Sequence, residues 1–195
     1  MKSITPGICA GLLLFALSST ASSTESVTPP SVEQLKPATV DASNLTEVIQ
    51  VLALANASQL DNVSLVKDRY PDEKLLHFAQ DLMRDHAWMQ ETLDALAQRK
   101  GISLRFEDLT LTSQQVKKNV DVDFQTLAQK PQDEFRMTFL RLTVYQYRKI
   151  LKLYEQISLL NQDARLKANI AIFRPMIEKN LGEAEGLPSV TTLSF

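Results

Sequence analysis

Cysteine is almost absent from this chain: Cys9 is the one thiol in 195 residues. A single thiol excludes an intrachain disulfide and a thiolate zinc site. Histidine is nearly as scarce, and His77 and His86 leave little imidazole for a metal centre or a catalytic triad. Basic charge is in no excess: 21 Lys and Arg face 23 Asp and Glu, a formal net charge of −2. That balance offers little counterion release, so no nucleic-acid partner is expected. Glycine is down to five residues, and only Gly101, Gly182 and Gly186 lie beyond Asn44. What remains is 44% hydrophobic and 23% charged, in a chain long enough for one domain with a real core.

Residues 1–21 read as a secretory signal peptide. Lys2 supplies the positive start, and Ile8 to Leu17 is an apolar run shorter than the ~20 residues a bilayer span needs. Small Ser19 and Ala21 predict cleavage after Ala21; an uncleaved N-terminal anchor is the alternative. Cys9 opens the apolar run, whereas a lipid-accepting cysteine closes it. Cleavage removes Lys2 and Cys9, leaving a net charge of −3 and no thiol, which suits an oxidising compartment. The expected location is the periplasm or the periphery of the outer membrane, with no transmembrane segment after signal removal. Residues 22–43, rich in Ser, Thr and Val with Pro29, Pro30 and Pro37, predict a flexible linker.

The scarcity of breakers beyond Asn44 predicts long helices. Asn44 and Glu47 have capping-box spacing and open the first, with a stripe of Val48, Leu52, Ala55, Gln59, Asn62 and Val66. Tyr70-Pro71-Asp72 ends it, and Asp72 caps the second. That helix runs to Lys100 and stops at Gly101, with Leu75, Ala79, Leu82, His86, Met89, Leu93 and Leu96 on one face. Gly101 to Thr112 is a connection, followed by a short extra helix carrying Val116, Val120, Phe124 and Leu127. The third long helix spans Gln132 to Leu160 with two adjoining stripes. One is Phe139, Leu142, Gln146, Ile150, Leu153, Ile157 and Leu160; the other is Leu140, Val144, Tyr147, Leu151 and Tyr154. Asp163 caps the fourth, which carries Leu166, Ile170, Phe173, Ile177, Asn180, Ala184 and Leu187 at heptad spacing. Pro175 is expected to kink it, and Gly186 with Pro188 to end it, leaving a tail at 188–195. The predicted architecture is all-α: a four-helix bundle over residues 44–187 with ferritin-like wiring and a long crossover between the second and third long helices.

Polar residues interrupt every stripe: Gln59 and Asn62, His86, Gln146 beside Tyr147, and Asn180. Gln146 and Asn180 lie at nearly the same height above their shared turn. Bundles of this shape place metal ligands at such a layer, but isolated polar residues there also set helix register. Carboxylate-bridged metal chemistry needs Glu-x-x-His, and the residue three before His86 is Met83, while Lys74 stands three before His77. Amides are poor ligands for iron, manganese or zinc, so no metal and no cofactor are expected. His77, Asp81 and Asp85 share a helix edge at four-residue spacing, a pattern that suits a solvated face or a weakly held divalent ion. Asp85, directly before His86, cannot share its face. Met83, Trp88 and Met89 suit core or partner contact, or a redox pocket.

The run Phe78-Ala79-Gln80-Asp81-Leu82-Met83-Arg84-Asp85-His86, followed by Leu93, Leu96-Ala97 and Gly101-Ile102, resembles a family pattern, F-A-x-x-M-x-x-D-H with an L-A-x-x-x-G-I end. Phe135 to Leu140 and Arg174 to Leu181 resemble two further motifs. Together they are similar to a ferritin-like domain-of-unknown-function family common among exported bacterial proteins. The resemblance implies histidines on three helices and a glutamate on the first. Here only His86 is kept: Tyr147 stands for one histidine with Gln146 for its Asp, Asn180 for another, and Gln59 lies near the glutamate. The expectation is an exported, non-enzymatic bundle that binds an envelope protein partner through its helix faces, with the polar layer of Gln59, Asp85, His86, Gln146, Tyr147 and Asn180 as a separate candidate binding site. The alternatives are a metal or redox protein using His86 with Asp85 and His77, and a small-ligand binder with the amides and Tyr147 lining a core pocket.

Overall fold

The computed structural model describes residues 38–69 and 72–187. It is all-α, with five helices and, among the described residues, no strand: α1 Leu45–Arg69, α2 Glu73–Lys100, α3 Leu111–Ala128, α4 Gln132–Leu160 and α5 Ala164–Gly186. A short 3-10 turn, Phe106–Asp108, precedes α3.

The ends follow side-chain chemistry. Asn44 Oδ1 accepts from the Glu47 amide at 3.2 Å. Glu47 does not return the bond; its Oε1 accepts from the Asp41 amide at 2.7 Å, so half of the expected capping box is spent on the preceding segment. Asp72 caps α2 through the Lys74 and Leu75 amides, and Asp163 caps α5 through the Leu166 amide at 2.8 Å. Gly101 closes α2 at φ 65°, a left-handed backbone that favours glycine, while the Ile102 amide reaches back to the Ala97 carbonyl at 2.9 Å. The expectations at Tyr70-Pro71 and Pro188, and those for residues 1–37 and 188–195, lie outside the described residues.

α1 packs on α2, α4 on α5, and the two pairs meet through α2 with α5 and α1 with α4. α3 lies against α1 and α4. α1 is therefore covered on several sides, and 13 of its 25 residues are buried, far more than one stripe supplies. The α2 stripe is buried throughout, as are Leu166, Ile170, Phe173, Ile177, Asn180 and Ala184 on α5. α5 runs unbroken through Pro175.

Two expectations change. The extra helix is not short: Thr110 Oγ1 accepts from the Ser113 amide at 3.1 Å and starts α3 at Leu111, giving 18 residues. On α4 both expected stripes supply buried residues, Phe139, Leu153 and Ile157 from one and Leu140, Tyr147 and Tyr154 from the other, and Arg136 and Thr143 are buried between them. Leu142 and Ile150 are half-buried and Leu160 is exposed. Arg136 is buried because its guanidinium pairs with Asp72, tying the start of α4 to the cap of α2. Of the segment expected to be linker, residues 38–43 lie against the helices: Ala42 is buried, and Asn161 Nδ2 donates to its carbonyl at 3.0 Å.

Gln50, buried on α1, organises the connection into α3. Its Nε2 donates to the Ser103 and Asp108 carbonyls at 2.9 and 3.1 Å, and its Oε1 accepts from the Thr110 amide at 3.0 Å. Gln50→Ala should cost roughly 1–3 kcal/mol, since three backbone groups lose their partner. Urea unfolding should register that loss, with hydrogen exchange quickened at Thr110.

Candidate functional site

Asn56, Gln59 and Asn62 follow one another at three-residue spacing along buried α1. Against this face α2 sets His86, α4 sets Gln146 and Tyr147, and α3 sets Asp123, all within one lining. His86 is the hub. Its Nδ1 lies 2.7 Å from Asn56 Oδ1 and its Nε2 2.7 Å from Tyr147 Oη. Asn56 Nδ2 donates to the His86 carbonyl at 2.8 Å and to Gln90 Oε1 at 2.9 Å. With that nitrogen donating, Asn56 Oδ1 accepts, so His86 carries its proton on Nδ1 and its Nε2 accepts from the Tyr147 hydroxyl. The two rings also stack, with centroids 5.7 Å apart.

Electrostatics agree with that assignment. Burial pushes the His86 pKa down to about 4, against the opposing pull of Asp85. Burial, and then the Asp85 charge, raise Tyr147 well above its ordinary value, with a hydrogen bond from Asn180 opposing. Near neutral pH the imidazole is uncharged and the phenol keeps its proton. Asp85 itself turns to α5, where Asn180 Nδ2 donates to its Oδ2 at 3.3 Å. That is the behaviour expected of a residue one step along the helix from His86.

A second branch joins α1, α4 and α3. Gln59 Nε2 donates to Gln146 Oε1, and Gln146 Nε2 donates to Asp123 Oδ2 at 3.2 Å. Asp123 is 7% exposed. Burial raises its pKa, with the Gln146 hydrogen bond and the Lys149 charge opposing. Gln59 Oε1 is buried with no hydrogen-bond partner among the described residues, as are Ser58 Oγ, Asn62 Oδ1 and Asn180 Oδ1. Beside this branch lies a cavity of about 410 Å³. Val51, Leu52, Met89, Leu93, Val120 and Leu153 give it apolar walls, and Asn56, Gln59, His86, Asp123, Gln146 and Tyr147 its polar end.

The six residues expected to form one layer are thus brought together as linked pairs: His86 with Tyr147, Gln59 with Gln146, Asp85 with Asn180. Asp85 and Asn180 are not among the residues lining the cavity. His77 is separate, its side chain 77% exposed and 3.6 Å from Asp81. Met89 lines the cavity, whereas Trp88 is partly exposed, edge-on to Phe173 with centroids 5.6 Å apart. Among the described residues no three His, Cys, Asp or Glu side chains group as metal ligands. Both nitrogens of His86 are already engaged, so its ring is neither an open ligand nor a free base.

Sequence reasoning missed Asn56, Gln90 and Asp123. Asn56 stands four after Leu52 and three before Gln59, so its signal was present. Asp123 continues Val116 and Val120 to Leu127 at four-three-four spacing, where Phe124, half-buried, was read in its place.

Fold and site together define an all-α protein with a hydrogen-bonded polar hub beside a cavity. The chain belongs to the family described as domain of unknown function (DUF4142), whose model matches residues 30–187. No curated protein and no solved structure matches it.

Stability should fall with pH through His86. Unfolded, the imidazole takes a proton near pH 6.5; folded, only near 4. Between those values the unfolded chain binds more protons, so acid favours it by roughly 3 kcal/mol over the whole window. Urea midpoints from pH 7 to 4 should show this decline, and in His86→Leu the decline should be shallower by that amount. Tyr147→Phe should cost roughly 1–3 kcal/mol at pH 7, because Nε2 loses its donor in a buried site. A neutral result in chemical denaturation would mean the hub is not satisfied as described.

Proposed function

We propose that this protein is an exported, non-enzymatic ferritin-like four-helix bundle, built from α1, α2, α4 and α5, that holds a small ligand in the cavity walled by α1, α2, α3 and α4. One observation carries the reading: a cavity of about 410 Å³ with apolar walls and a polar end that includes a buried acceptor, Gln59 Oε1, without a partner among the described residues. Ligand pockets are built this way, at roughly 300–1,000 Å³ with a few placed polar groups. The non-enzymatic part is supported by the engagement of both His86 nitrogens and by a phenol held protonated. Export to the periplasm or the periphery of the outer membrane is supported by the signal-like segment at 1–21 and by the absence of cysteine after it. Among the described residues no helix is long and apolar enough to cross a membrane.

The full chain should bind an environment-sensitive apolar dye saturably. Val120→Trp, which fills the cavity from α3, should abolish that signal while the helical fold persists by circular dichroism. Uptake that does not saturate, or that Val120→Trp leaves unchanged, would overturn the reading.

The alternative of contact with an envelope protein has one feature behind it. Trp88, 42% exposed, borders a groove lined also by Arg99 and Arg165. Aromatic and Arg side chains are the usual anchors of protein interfaces. Crosslinking in intact cells should then give a reproducible neighbour that Trp88→Ala removes.

A further inference from the structure

The polar end of the cavity holds a buried carboxylate, Asp123, and a buried amide oxygen, Gln59 Oε1, that has no partner among the described residues. Asn56 Nδ2 donates to two neighbours, while Gln59 Nε2 and Gln146 Nε2 each donate one of their two N–H groups to the next residue of the network. The hydroxyl of Tyr147 is committed to His86 Nε2. On the acceptor side, Gln59 as a whole is 3% exposed. Asp123 accepts from Gln146 through Oδ2 only. These two acceptors favour a ligand that brings donors to this end. A buried carboxylate is compensated best by a positive charge, because burial penalises its ionised form unless one stands near.

We infer that the cavity takes an organic cation, a protonated amine on an apolar body, with its ammonium between Asp123 and Gln59. This rests on the ligand-binding reading above and names the ligand class. The apolar body lies along Val51, Leu52, Leu93 and Val120. Lys149 is the cation that acts on Asp123 from α4, yet it is exposed and its Nζ sits 4.3 Å over the Tyr145 ring. Lys149 and Lys152 line the cavity but are both exposed, and burial outweighs the Lys149 charge at Asp123. An anionic ligand would meet the carboxylate at the buried end, and a neutral alcohol would supply one donor where an ammonium supplies three.

Calorimetry on the full chain with n-octylamine, n-octanol and n-octanoate separates the possibilities. The amine should bind at least about tenfold tighter than the alcohol, with the carboxylate weakest. Amine affinity should fall as the pH is lowered and Asp123 takes a proton. Asp123→Asn should bring the amine-to-alcohol ratio towards one; Asn can still accept from Gln146, and the three-ligand comparison on the unaltered chain stands without this variant. Alcohol binding as tight as amine binding would overturn the cation assignment and leave the cavity reading intact. Failure of all three to bind would overturn both.

Discussion

A buried imidazole has two nitrogens to satisfy, and His86 satisfies both with side chains from other helices. Asn56 Oδ1 on α1 accepts from the Nδ1–H and the Tyr147 hydroxyl on α4 donates to Nε2. A hydrogen bond tolerates only a few tenths of an ångström, so this pair of contacts fixes α1 and α4 against α2 in height and in rotation. Asn180 extends the constraint to α5 through Asp85. Apolar packing alone would hold these helices together while leaving their register less defined; the polar hub selects one register, because any slip strands buried polar atoms.

The same requirement explains the chemical quiet of the site. A histidine whose nitrogens are both engaged, and whose pKa is pushed down to about 4, is a neutral structural group near pH 7. Asp85 might have been its charged partner, but helix geometry turns that carboxylate to Asn180. What the hub leaves open is the cavity that Asn56, His86 and Tyr147 themselves help to line. There α3 lies against α1 and α4, and Gln59, Gln146 and Asp123 border the cavity. α3 is thus a wall of the cavity and the source of its buried carboxylate, well beyond a connection between two helix pairs.

Much of the fold was legible in the residues. Asp72, Asp163 and Gly101 mark helix ends because their side chain or backbone supplies what a helix end lacks, and that chemistry is local. The stripes on α2 and α5 bury as read, since each of these helices offers one face to the core. The reading weakened where a helix has neighbours on more than one side. α1 buries Gln50, Asn56 and Ser58 away from its main stripe, and α4 buries Arg136 and Thr143 between two apolar rows. Periodicity within one helix says nothing of how many partners surround it. Thr110 is a cap signal that apolar periodicity does not show, and it starts α3 at Leu111, inside the segment expected to be connection.

By itself the sequence determined that the protein is helical, where most helices begin and end, and that His86, Tyr147, Gln59, Gln146 and Asn180 interrupt apolar faces. These follow from propensity, capping and spacing, which act over a few residues. Only the tertiary structure decided who pairs with whom: that Asn56 and Tyr147 share His86, that Gln146 joins Gln59 to Asp123, and that a cavity survives beside them. The physical reason is distance along the chain. Asn56 and His86 are 30 residues apart and Gln59 and Gln146 are 87 apart, and contacts at such separations are set by helix packing, on which local sequence pattern is silent.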